Sequence, residues 1–142
     1  MNGNAELLNF IYQNSQMGVQ TIEKLLDIVE DSRFLKQLNS QLNEYTEISD
    51  TAKELLNKNN CDEKDVSGFE KLTAYLMINM KTMTDKSPSH IAEMMIQGSN
   101  MGIIDATRNI RKYADADNDI LNLMKKLLKM EENNIQTLKE YL

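Results

Sequence analysis

The stretch QNSQMGVQ at 13–20 returns at 97–104 as QGSNMGII. Overlaying 13–31 on 97–115 pairs Gln13 with Gln97, Ser15 with Ser99, Met17 with Met101 and Gly18 with Gly102. Further on, Val19 meets Ile103, Lys24 meets Arg108 and Asp31 meets Asp115. After a slip of one or two residues the match continues, with Leu38 on Met124, Leu42 on Leu128, Ala52 on Leu138 and Leu56 on Leu142. The repeated unit is longer than one helix, so it reads as a helical hairpin written twice. A single hairpin leaves its apolar face open to water. Two of them can close on each other as a four-helix bundle.

The helices follow from spacing. The chain of 142 residues has one proline and five glycines, too few breakers for a β-rich fold with many turns. Apolar residues three and four apart predict a first helix over 4–29, on Leu8, Ile11, Ser15, Gly18, Ile22, Leu25 and Val29. A second runs over 33–57 on Leu35, Leu38, Leu42, Tyr45, Ile48 or Ser49, Ala52 and Leu55 or Leu56, with Asp31 or Ser32 as its N-cap. A polar break with Ser67-Gly68 at its far end leads to a shorter helix over 69–84, with Phe69, Leu72, Leu76, Met80 and Met83 on one face and Tyr75 and Ile78 broadening it. Ser87 then caps, with Pro88 in the first turn, a helix to about residue 113. The last helix follows the acidic turn 114–119 and places Ile120, Leu121, Met124, Leu127, Leu128, Ile135, Leu138 and Leu142 inside.

Glycine inside a helix costs about 1 kcal/mol relative to alanine. Two of them at matched positions therefore need an offsetting gain. The predicted gain is a close crossing of the first and fourth helices, where Gly18 and Gly102 meet near a pseudo-twofold axis. Ser15 and Ser99 narrow the crossing, and Met17 and Met101 fill the space beside it. The rival expectation is a small pocket beside each glycine, with Gln16, Gly18, Asn100 and Gly102 as candidate ligand-binding residues.

Two segments, IEKLLDIVEDSRFLKQLNSQLNEY and SPSHIAEMMIQGSNMGIID, resemble ferritin-like bundle proteins of uncharacterised families from spore-forming bacteria, including relatives of spore coat protein F. The resemblance implies an all-α ferritin-like four-helix bundle and, through the coat relatives, a link to sporulation. It implies no known activity. The expected organisation is a single domain over 1–142: a hairpin over 4–57, a crossover helix over 69–84 and a second hairpin over 88–142.

Di-iron bundles need a glutamate from each of two helices and Glu-x-x-His from the other two, so that carboxylates and imidazoles converge on two cations. Glu44 and Glu47 have the spacing without the histidine. Asp105 falls near the inner face of the fourth helix, and Glu131 falls on the stripe of the fifth, to reach solvent or bond to Tyr45. The chain's one histidine forms His90-x-x-Glu93, the reverse order, in a first turn. No cofactor is therefore expected. A carboxylate-only metal site or oxidase on Glu44, Glu47, Asp105 and Glu131, or a metal on His90 and Glu93, is the alternative.

A formal charge of −6 argues against a protein built to grip duplex nucleic-acid phosphates, which need basic density. Lys125, Lys126 and Lys129 read as a solvated face. The lone Cys61 cannot pair within the chain and sits in a polar stretch, where exposure is expected. With no apolar run of spanning length the expected compartment is the cytoplasm, or a spore if the coat resemblance holds. The leading expectation is a non-enzymatic bundle that acts by association, with itself or another protein, through the Met-rich face of the crossover helix. Coat-like or scaffold roles fit that reading. A degenerate metal protein and a small polar-ligand binder are the alternatives.

Overall fold

In the computed structural model, residues 3–61, 63, 70–81 and 83–142 are described. They form five helices: α1 (Asn4–Leu26), α2 (Ser32–Lys58), α3 (Glu70–Lys81), α4 (Pro88–Lys112) and α5 (Asn118–Leu138), the last continued by a 3-10 turn at Lys139–Tyr141. Ser67, Gly68, Phe69 and the side chain of Leu72, which entered the prediction for the crossover segment, lie outside the described residues.

The architecture is an all-α bundle built on two hairpins. α1 packs along α2, and α4 along α5. The hairpins join through contacts of α1 with α4 and α5 and of α2 with α5, while α3 lies against α4. Predicted stripe residues form the core. Leu8, Ile11, Ile22 and Leu25 of α1 are buried, as are Leu38, Ile48, Ala52 and Leu56 of α2 and Ile120, Met124, Leu127 and Leu138 of α5. Burying one such side chain stabilises the fold by about 1.5–3 kcal/mol.

Local chemistry sets the helix ends. The Asp31 carboxylate accepts the Phe34 amide at 2.8 Å, and Ser87 Oγ accepts the His90 amide at 3.3 Å, each satisfying a first-turn N–H with no partner inside the helix. Pro88 follows, where its missing N–H costs nothing. Asn4 clasps the turn before α5: its Nδ2 donates to Asp117 Oδ2 at 3.0 Å, and its Oδ1 accepts the Asp117 amide at 2.9 Å.

Three expectations change. The first helix stops at Leu26 rather than 29, because the Ile28 and Val29 amides both turn back to the Leu25 carbonyl; Val29 stays buried as the chain bends. Leu142 is exposed, because the chain leaves α5 through the 3-10 turn. Cys61 is half-buried against the core, its Sγ donating to the Asn59 carbonyl.

Candidate functional site

The two helical glycines locate the centre of the bundle. A Cβ on Gly18 would lie 2.6–2.7 Å from three atoms of the Tyr45 ring. A Cβ on Gly102 would lie 3.1 Å from Glu131 Oε2 and 3.4 Å from Asn14 Nδ2. The nearest atoms to each glycine thus belong to large side chains, not to the other glycine as the close-crossing prediction had it. Each glycine accommodates a side chain from the second helix of its own hairpin. The register that places Leu38 on Met124 and Leu42 on Leu128 also places Tyr45 on Glu131. The two pairs, Gly18 with Tyr45 and Gly102 with Glu131, are therefore equivalent positions of the repeat carrying different chemistry.

Around Tyr45 and Glu131 the stripes turn polar. Asn14 on α1 and Gln41 on α2 are buried, and Ser99 on α4 is half-buried. Ser99 lies near the Tyr45 hydroxyl, and Tyr45 and Asn14 in turn face the Glu131 carboxyl. Burial pushes the Glu131 carboxyl up to about 8, and the Asn14 amide and Tyr45 hydroxyl pull it only part of the way back. At neutral pH the buried acid is mostly protonated. The Tyr45 hydroxyl is held well above its ordinary range, first by burial and then by the Glu131 charge, so it remains a neutral donor.

This cluster is not self-satisfied. Asn14 Nδ2, Gln41 Nε2 and Glu131 Oε1 are buried and complete no hydrogen bond of normal geometry with any described residue. Asn14 thus influences Glu131 by proximity rather than through a well-formed bond. The three residues line one cavity between the helices, with about 40 Å³ open to the centres of water molecules. That is room for roughly three waters. Tyr45 and Ser99 complete the polar part of its lining; Met17, Ile22, Leu76 and Met95 are apolar. Leu76 is the contribution of α3, which is tied to α4 by a hydrogen bond from the Tyr75 hydroxyl to Gln97 Oε1. Among the described residues, no Lys, Arg or His lines the cavity.

The predicted metal residues are dispersed. Glu131 is buried, whereas Glu44 and Glu47 sit on the exposed side of α2, beside a surface groove with Lys126, Lys129 and Asn133. Glu47 pairs with Lys126 at 3.5 Å, an exposed contact of little energetic consequence. Partial burial raises the Glu44 pKa, the Asn134 amide lowers it and Glu47 raises it further; Asn134 Nδ2 nevertheless completes no bond of normal geometry. Asp105 is half-buried on α4, where its carbonyl accepts from Asn109. His90 is half-buried and Glu93 exposed in the first turns of α4. Among the described residues, no group of three or more His, Cys, Asp or Glu side chains could hold a metal ion.

The predicted ligand residues divide. Gly18 lines the cavity, and Gly102 backs the Glu131 carboxyl. Gln16 is engaged elsewhere, donating to Ser49 Oγ at 2.6 Å, and Asn100 is exposed. Asn14 and Gln41 escaped the sequence reading, although a signal was present. Asn14 is three residues after Ile11 and four before Gly18; Gln41 is three after Leu38 and four before Tyr45. Each is a polar residue at a core position of its stripe.

No family model matches the chain, and no curated protein and no solved structure matches it. Among the described residues, no helix is long and apolar enough to cross a membrane.

Proposed function

We propose that this protein is a non-enzymatic helical bundle that binds a small polar molecule in the central cavity between its two hairpins. The observation that carries the proposal is the set of three orphaned polar atoms, on Asn14, Gln41 and Glu131, at one cavity. Leaving a buried donor or acceptor unpaired costs about 1–3 kcal/mol each. Leucine or methionine at these positions would remove that cost, so a bundle that needed only to fold has little use for them. Groups that lower stability and converge on one space are the expected mark of a site.

The order hairpin, crossover, hairpin supports a ferritin-like reading of the topology, in which the midpoint of the bundle is where chemistry is placed. Ligand-observed NMR tests the proposal with a panel of small acidic, basic and neutral molecules. Binding to the native chain that is lost in Asn14→Leu supports it. If no molecule distinguishes the two proteins, water alone satisfies the cavity and the proposal falls.

A second reading, association through α3, rests on Met77 and Ile78. Both are exposed, beside a groove formed with Met17, Lys24 and Met80. A scaffold or coat-like role would use that face. Light scattering checks it: an oligomer that becomes monomeric in Ile78→Lys supports association, and a native monomer at all concentrations removes it.

A further inference from the structure

We infer that the ligand of the central cavity is a short aliphatic carboxylic acid, held head-inward with its carboxyl group sharing one proton with Glu131. The inference rests on the reading of the cavity as a ligand site and adds the chemical class.

The argument starts from the orphaned atoms. Asn14 Nδ2 and Gln41 Nε2 are N–H donors. Glu131 Oε1 is the third, and burial keeps its carboxyl protonated at neutral pH, so it too can donate. The unmet demand of the cavity is therefore for acceptors. Asn14, Gln41 and Glu131 are all at least nine-tenths buried, so bulk water does not compete for them. A carboxylate has two oxygens with about four acceptor positions, enough for two amide N–H groups and one O–H.

Charge narrows the choice. With no Lys, Arg or His in the lining among the described residues, a phosphate or sulfate dianion would enter without compensation from them. A monocarboxylate meets a smaller penalty, because two or three donors stabilise it strongly and the Glu131 proton lies between the two carboxyl groups. A bare cation would require the acid to ionise and both amides to present oxygen, the reverse of their present demand.

Shape supplies the tail. Met17, Ile22, Leu76 and Met95 bring aliphatic and thioether groups to the same lining as the polar residues. The space for roughly three waters takes the three non-hydrogen atoms of a carboxyl head; the cavity is only half enclosed, so a tail of about three carbons, as in butyrate, extends outward along the apolar lining. Methionine adapts to chains of slightly different length, so a narrow series of acids is expected rather than a single one.

The pH dependence has a definite sign. The titratable group that faces Glu131 is Tyr45 on α2, with Glu44 further along that helix acting on Tyr45. α1 and α4 present Asn14 and Ser99, which do not titrate. Between the pKa of a short fatty acid and that of Glu131, the free partners already hold the one proton that the complex needs, and affinity stays level. Above about pH 8 Glu131 must take up a proton to bind, and affinity falls about tenfold per pH unit.

Isothermal titration of the full chain with butyrate, butanamide and butylamine tests this, with ¹³C-methyl methionine spectra to locate binding. The expected result is one butyrate per chain, shifts at Met17 and Met95, and the stated fall above about pH 8. Glu131→Gln, which keeps an N–H donor, should retain butyrate binding and lose the fall. Glu131→Leu, checked for native helicity, should weaken binding at least about tenfold. Preferential binding of butylamine, with affinity rising toward about pH 8, would overturn the inference and leave the ligand-site reading standing. Equal binding of butanamide and butyrate would do the same. Silence from all three overturns the inference, and silence from the wider panel also removes the reading beneath it.

Discussion

At the scale of single residues, the two helical glycines should respond differently to the same change. Alanine at Gly18 gains about 1 kcal/mol of helix propensity, but its methyl group would meet a buried aromatic ring at under 3 Å. Overpacking of that kind costs about 1–3 kcal/mol. Gly18→Ala should therefore be neutral to destabilising by up to about 2 kcal/mol in urea melts, and Tyr45→Leu in the same chain should relieve part of the loss. At Gly102 the nearest atom is the end of a flexible glutamate, at 3.1 Å, so Gly102→Ala should stay within about 1 kcal/mol of the native protein. Glu131 sets a pH slope. Its folded pKa, about 8, lies above the ordinary 4.5, so the folded chain holds an extra proton between those values. Its contribution is fully present below about pH 4.5 and is lost as the pH rises to about 8. In that window stability should fall by somewhat over ~1 kcal/mol per pH unit, and Glu131→Gln should flatten the curve. Denaturant melts at several pH values would show it; an unchanged slope in the variant would mean that the carboxyl is not neutral in the fold. Gln41→Met, which removes a buried unpaired amide, should raise the melting temperature in ligand-free buffer while weakening ligand binding.

Helices and caps were open to inspection before the fold was. The stripes through Leu38, Ile48, Ala52 and Leu56, and through Ile120, Met124, Leu127 and Leu138, bury as their spacing requires. The Asp31 and Ser87 caps could be read because an oxygen-bearing side chain before an apolar period has a specific role in the first turn. The purpose of the glycines was harder to read. A missing side chain marks where space is needed, but not which neighbour takes it, and Tyr45 is distant in sequence. Asn14 and Gln41 were hidden for a related reason: periodicity reports which face is inward, and a polar residue on that face looks like the edge of the stripe until its neighbours are known. For α3 the stripe overstates the core, since Leu76 is buried while Ile78 is 61% exposed. Leu76→Ala should open the cavity on the α3 side and raise the rate of ligand association in stopped-flow measurements, with a loss of about 2–4 kcal/mol in stability.

Across the molecule, repetition supplies the scaffold and difference supplies the proposed site. The hairpins align through their apolar layers, yet the position that carries a phenol ring in one carries an acid in the other. A perfectly duplicated chain would have presented two like niches related by the axis, and binding to one could have favoured or opposed the other. Here the Tyr45 ring occupies the ground beside Gly18, and one acidic niche is left. Saturation should therefore come at a single equivalent with a simple hyperbolic curve, because the halves resemble each other in framework and not in receptor chemistry.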